Sequence, residues 1–352
     1  MQIDERKRLI LQTIVDEYIR TGEPVGSNAV LARMGMNVSS ATVRNDMAFL
    51  ERMGFLEQPH TSAGRVPTYE GYRFYIDHLM SPKPLSGKEK RLIDSLLNQN
   101  DLTVNSVVEN AVNVLSELTN MTVVSKSNLP VFSVITRVEV IPAGRRLYAL
   151  LIITSAGTIQ NKICRVEFDL TYEQLEFFER FVNDNLTGIN VDRLTPAMLQ
   201  NMAVALGSYM MALSPLLHAV YELSEAISKV DVNLKGEQNL LVNDSLRPDE
   251  VVRMLANKES LSELLNSAFD GVNVVFGQEN GSFAVTNSSL IMSPYKLGAA
   301  QVGSLGVIGP VRVDYSKVIP NIQYITESVT RLLSDVIIKG DDDGKDVSNE
   351  QG

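Results

Sequence analysis

"SSATVRNDMAFLERMGFLEQPHTSAGRVPTYEGYRFYIDHLM", residues Ser39 to Met80, reads as a capped amphipathic helix, a hairpin and a further helix. Ser39 can cap the free N–H groups of a first helical turn, Val38 and Val43 occupy the two positions of a hydrophobic staple, and Gly54 closes the helix. Val43, Met47 and Leu50 follow i, i+4, i+7 spacing and face a core. That turns Ala41, Asn45, Ala48 and Arg52 outward and leaves Arg44 on the flank. The exposed face is small, polar and basic. "FLEQ" and "RVPT" read as two short strands around the turn "PHTSAG", and "YEGYRFYIDHLM" as a further helix.

Before this stretch, residues 4 to 20 carry apolar side chains at helical spacing (Ile10, Ile14, Tyr18), "TGEPVGS" breaks the pattern, and a short helix capped by Ser27 runs to Gly35. Three helices followed by a hairpin make a winged helix-turn-helix. In that motif the start of the second helix reaches base edges in the major groove, Asn matching adenine and Arg guanine, while hydroxyls and N–H groups hold phosphates. The candidate DNA-binding residues are therefore Ser39, Ser40, Thr42, Arg44 and Asn45 on the helix. His60, Thr61, Ser62 and Arg65 join them on the turn, where hydroxyls and one guanidinium face the backbone or minor groove. The bland alternative is a capped surface helix and a solvated hairpin tip; the two lying side by side favours DNA contact. Tyr69, Tyr72, Phe74 and Tyr75 read as packing between the last helix and the core rather than as a base-stacking platform.

"SPKPLSGKEK" (81–90) marks a domain boundary. Beyond it a helix from about Thr103 to Leu118 leads into a strand, "MTVVSK". Three strand runs in a meander follow ("VFSVITRVEVI", "RLYALLIIT", "TIQNKICRVEF"), then a helical stretch from about Tyr172 to Val230. From Asn239 the pattern alternates again, through "NLLV", a helix, three further strand runs and a last helix ending near Ile338. This predicts an α+β multidomain chain. The winged helix occupies 1–85. If the Thr103 helix and "MTVVSK" belong with the later strands, a discontinuous α+β domain occupies 95–130 and 235–339 and an antiparallel sheet with helices is inserted at 131–234; an acidic tail, 340–352, is expected to be disordered.

The chain has 352 residues, a formal net charge of −10, one cysteine (Cys164) and three histidines. An acidic balance argues against coating nucleic acid nonspecifically, a mode that rests on many Lys and Arg neutralising phosphates. It leaves room for a small reading head: residues 1 to 80 hold nine basic against ten acidic side chains. A lone cysteine makes no internal disulfide, the histidines lack metal-ligand spacing, and no apolar run approaches the ~20 residues that span a bilayer. A cytoplasmic protein with no cofactor or metal is expected. "GSLGVIG" (303–309) lacks the Lys-Ser/Thr of a phosphate loop and suits a buried strand. Nothing resembles a nucleophile with a base and orienter, so no enzyme is expected.

The Ser39–Met80 string, "GEPVGS", "VVFGQEN" (274–280) and "GSLGVIGPVRVDY" (303–315) together resemble the bacterial heat-inducible transcription repressor HrcA family, over nearly the whole chain. The resemblance implies a homodimer with a winged-helix head, a GAF-like domain and an inserted dimerisation domain. Its implied partners are double-stranded DNA, as an inverted-repeat CIRCE operator upstream of chaperone operons, and a chaperonin that keeps the repressor active. Two other readings stay open here. One is a regulator whose GAF-like domain binds a small molecule and releases DNA; the other is a chaperonin-associated protein with a vestigial helix-turn-helix.

Overall fold

The structure is a computed structural model and describes residues 3–35, 38–61, 63–98, 103–128, 133–228, 231–266, 271–277, 283 and 285–346. The head starts with α1 (Glu5–Thr21), whose N-cap Asp4 accepts from the Lys7 N–H and whose C-cap Gly22 is left-handed at φ 77°. It continues through α2 (Ser27–Met34) and α3 (Ser40–Arg52). Next come β1 (Leu56–Glu57), β2 (Val66–Pro67) and α4 (Tyr69–His78), with the two strands paired antiparallel. Ser27 is the first residue of α2 rather than its cap: the N-cap is Gly26, and the Ser27 hydroxyl is spent on Ser40.

The body is a five-stranded antiparallel sheet in the order β7-β3-β10-β9-β8, formed by β3 (Thr122–Ser127), β7 (Asp231–Lys235), β8 (Asn273–Phe276), β9 (Ser288–Leu297) and β10 (Ala300–Pro310). Alternation sorts its side chains between two layers. Val123, Ile291 and Val307 pack on α6 (Val104–Thr119) and α13 (Tyr315–Asp346), in one core that also holds Ile10, Val43 and Tyr72 of the head. Val124, Leu290 and Ile308 face α10 (Gln238–Leu241), α11 (Pro248–Ala256) and α12 (Lys258–Asn266). The glycine string lies in β10: a Cβ at Gly303 would stand 2.2 Å from the Tyr295 hydroxyl, and one at Gly306 2.8 Å from Leu290. These glycines admit close packing in a buried strand.

Between β3 and β7 the chain leaves this sheet and builds a second one with its own core. Here β4 (Ile135–Gly144), β5 (Leu147–Thr154) and β6 (Ile159–Arg165) form a meander, covered on one face by α7 (Tyr172–Leu186), α8 (Pro196–Ala205) and α9 (Met210–Ser228). Cys164 is buried in this core, and desolvation pushes its thiol up.

Three expectations change. Residues 231–234, assigned from sequence to the insertion, pair with β3 in the larger sheet. "NLLV" lies in the short helix α10 and its C-cap instead of a strand, a four-residue apolar run being too short for periodicity to separate the two. The last helix passes Ile338 and carries the first half of the expected disordered tail to Asp346. Extending an existing helix needs no new nucleus, so polar composition alone does not stop it. Residues 347–352 lie outside the described residues, as do 278–280 of "VVFGQEN". Helix α5 (Gly87–Leu97) opens on a Ser86–Glu89 capping box inside the expected linker and buries Ile93 and Leu97 in the head–body core.

Candidate nucleic-acid interface

Helix α3 is held from behind and left free in front. Asp46, an acid on its buried face and 5% exposed, receives the Arg6 guanidinium at 2.7 Å and the Lys7 ammonium at 3.6 Å, which ties α3 to α1. Val43, Met47 and Leu50 complete that face. Sequence reasoning missed Asp46; the signal was a carboxylate within an otherwise apolar i, i+3, i+4 stripe. In front, Arg44 and Asn45 are exposed, and among the described residues neither side chain is engaged in a hydrogen bond or ion pair.

The three hydroxyls at the start of α3 divide their work. Ser39 is the N-cap, accepting from the Thr42 N–H at 3.1 Å, and its Oγ lies 2.9 Å from the Thr42 hydroxyl. Ser40 is turned sideways, donating to Asn28 Oδ1 at 2.9 Å and pairing with the Ser27 hydroxyl at 2.9 Å. It sets the angle between α2 and α3, while Ser39 and Thr42 remain at the rim.

The wing stands beside this helix. Its base is widened by an antiparallel bridge between Val25 and Arg65, and a Cβ at Gly64 would lie 2.4 Å from the Val25 carbonyl, so only glycine fits there. Gln58 was not anticipated: its amide donates to the carbonyls of Thr61 at 2.9 Å and Ala63 at 3.0 Å, shaping the turn from within. His60 and Thr61 are exposed at the tip, and Ser62 lies outside the described residues. Arg65 is not offered outward as expected. Its side chain is 17% exposed and its guanidinium is bound to Glu51 of α3 at 2.9 and 3.0 Å, because the wing folds back against the helix that carries an acid at the matching height. Between α2, α3 and the wing lies a groove of 460 Å³ lined by Asn28, Arg44, Met47, Gln58, Thr61 and Arg65.

A polar, partly cationic helix face next to a hydroxyl-bearing loop can hydrogen-bond base edges and phosphates at once. Among the described residues no group of three or more His, Cys, Asp or Glu side chains could hold a metal ion, and no helix is long and apolar enough to cross a membrane.

Comparison with known proteins agrees with this geometry. A family model described as the winged helix-turn-helix transcription repressor HrcA, DNA-binding, matches residues 2–78, and one described as the HrcA protein C terminal domain matches residues 105–319. The heat-inducible transcription repressor HrcA of Acetivibrio thermocellus is 33% identical, covering 99% of this chain and 100% of that protein. Its counterpart in Clostridium botulinum strain Alaska E43 is 35% identical over 95% of this chain and 99% of its own length. A crystal structure described as that of a hypothetical protein at 2.2 Å resolution superposes with a TM-score of 0.66 at 25% identity, covering 95% of this chain and all of the other. The chain belongs to the HrcA family of heat-inducible transcription repressors, which is not a class of enzymes, and its winged helix is a DNA-binding head.

Proposed function

We propose that the chain acts as a homodimer whose two heads read the halves of an inverted repeat, the CIRCE element, upstream of chaperone operons in a cytoplasm, and that chaperonin maintains the active form. The observation that carries this reading is the exposed pair Arg44 and Asn45, without side-chain partners among the described residues, at the front of a helix braced from behind. The residues proposed to touch DNA are Ser39, Thr42, Arg44 and Asn45 on α3 and His60, Thr61 and Ser62 on the wing, with Ser40 and Arg65 acting through the elements they tie.

The proposed dimer contact is the sheet face of the insertion that its helices leave bare. Cross-strand register brings Ile141, Ala149 and Ile163 into one row and Ile153 and Ile159 into another. Ile141, Ile159 and Ile163 are 48, 59 and 56% exposed. With Arg137, Glu139 and Asn161 between and beside them, these exposed isoleucines make a mixed face suited to an isologous contact, in which the same surface on each copy meets itself. The GAF-like assignment of the five-stranded body rests on its antiparallel sheet with helices on both faces.

The test is a titration of purified protein against an inverted-repeat duplex, a single half-site and scrambled DNA at several salt concentrations, with and without chaperonin. Preference for the symmetric site, strengthened by chaperonin, is expected. Equal weak binding to all three would overturn the reading.

A second reading, release of DNA by a small ligand, has one observation in its favour. A groove of 540 Å³ between head and body is lined by Asp16, Tyr75, Lys83, Arg312 and Asp314. A thermal shift with a metabolite pool, lost in Arg312→Ala, would support it.

A further inference from the structure

The head does not hang on a loose tether. Tyr72 of α4 is 1% exposed, with its ring centroid 6.1 Å from Phe276 at the end of β8 and 6.0 Å from Tyr315 at the start of α13. Tyr69 stacks on Phe276 at 5.6 Å. Two arginines cross the joint in opposite directions. Arg73 of the head lies 5.2 Å over the Phe276 ring and donates to the Val274 carbonyl at 3.1 Å. Arg312 of the body donates to the Ile19 carbonyl at 3.3 Å, its guanidinium packed where a Cβ on Gly22 would stand 2.9 Å away. A cation at this point also meets the negative end of the α1 dipole.

The same helix reaches the reading elements. Thr68, the N-cap of α4, donates its hydroxyl to the Gly54 carbonyl at 2.5 Å and its N–H to the Phe55 carbonyl at 3.1 Å, at the end of α3. Tilting α4 on the body therefore tilts α3 with it.

Resting on the dimeric reading above, we propose that this joint is the ruler for operator spacing, with Arg73 and Arg312 as positioning residues that fix the distance between the two heads. Two linked heads gain over one only when both half-sites fall within reach together, and a rigid link makes that gain steeply dependent on spacing. A slack joint leaves each head competent and broadens the spacing it accepts.

The experiment measures full-length wild type and the Arg73→Ala/Arg312→Ala double variant, by fluorescence anisotropy, against a single half-site and inverted repeats whose spacer changes in single base pairs. Wild type is expected to show a sharp optimum. The double variant should keep half-site affinity within about twofold, lose at least about tenfold at the optimum, and give a flat spacing profile. Tyr72→Phe is the opposing control: the Tyr72 hydroxyl is buried with no hydrogen-bond partner among the described residues. Removing it should raise Tm by about 2 °C or more and leave the optimum sharp. A sharp optimum retained in the double variant overturns the ruler alone, and so does a fall in its half-site affinity equal to the fall at the optimum. Wild type with no gain over a half-site overturns the dimeric reading and the ruler with it.

Discussion

Arg44 and Arg65 begin as equivalent cations in the sequence and end with different tasks. Among the described residues Arg44 and its neighbour Asn45 make no side-chain hydrogen bond or ion pair, so Arg44→Ala or Asn45→Ala is expected to lose ~1 to 3 kcal/mol of discrimination at one base pair per half-site. Competition with base-substituted operators checks this, and an equal loss on random DNA would reduce the contact to a phosphate. Arg65 is bound to Glu51, whose carboxylate offsets its charge. Glu51→Gln should therefore tighten binding to operator and scrambled duplexes alike and steepen the salt slope by up to about one counterion. An unchanged slope would leave the pair as a brace for the wing alone.

Among the elements, the apolar periodicity of α1 and α3 and the glycines closing α2 and α3 (Gly35 and Gly54) were legible because each signal is local: a cap, a stripe, a left-handed stop. The tie between α1 and α3 was not, since Arg6 and Asp46 meet only once the helices cross. Asp46→Ala removes a charge-assisted bond whose arginine can turn to water, Arg6 being 38% exposed at the side chain. The expected destabilisation is about 1.5 to 3 kcal/mol, with a parallel loss of operator affinity, measured by denaturant unfolding alongside DNA titration. The strand runs of the body were legible, but periodicity alone left open whether the Thr103 helix and "MTVVSK" join them. Its closing edge was misplaced because Asp231–Leu234 is assigned to the larger sheet by pairing with β3, which no window of sequence contains. Arg73 and Arg312 gave no signal at all, lying on helices and loops that meet only in the folded chain.

For the whole molecule, charge and symmetry set the remaining expectations. A bond from the Lys162 ammonium holds the Glu222 carboxyl below its ordinary value, and the Thr286 N–H does the same for Glu250. Such groups bind fewer protons folded than unfolded. Their stabilisation is present at neutral pH and is lost as pH falls through the ordinary value of 4.5 toward the lower folded one. Asp16, raised by burial, works in the opposite sense. Thermal melts should show Tm falling below about pH 4.5, and a flat profile down to about pH 3.5 would contradict this. Ile163→Glu, placed on the bare sheet face, should give a monomer by sedimentation that retains half-site binding and loses the gain on the symmetric site. If each α3 lies in a major groove of an inverted repeat, dimethyl sulfate footprinting of the bound operator will reveal it. Guanine N7 protection is expected at symmetric positions in both half-sites, with one position per half-site lost in Arg44→Ala. Protection confined to adenine N3 in the minor groove, or absent from both grooves, would contradict it.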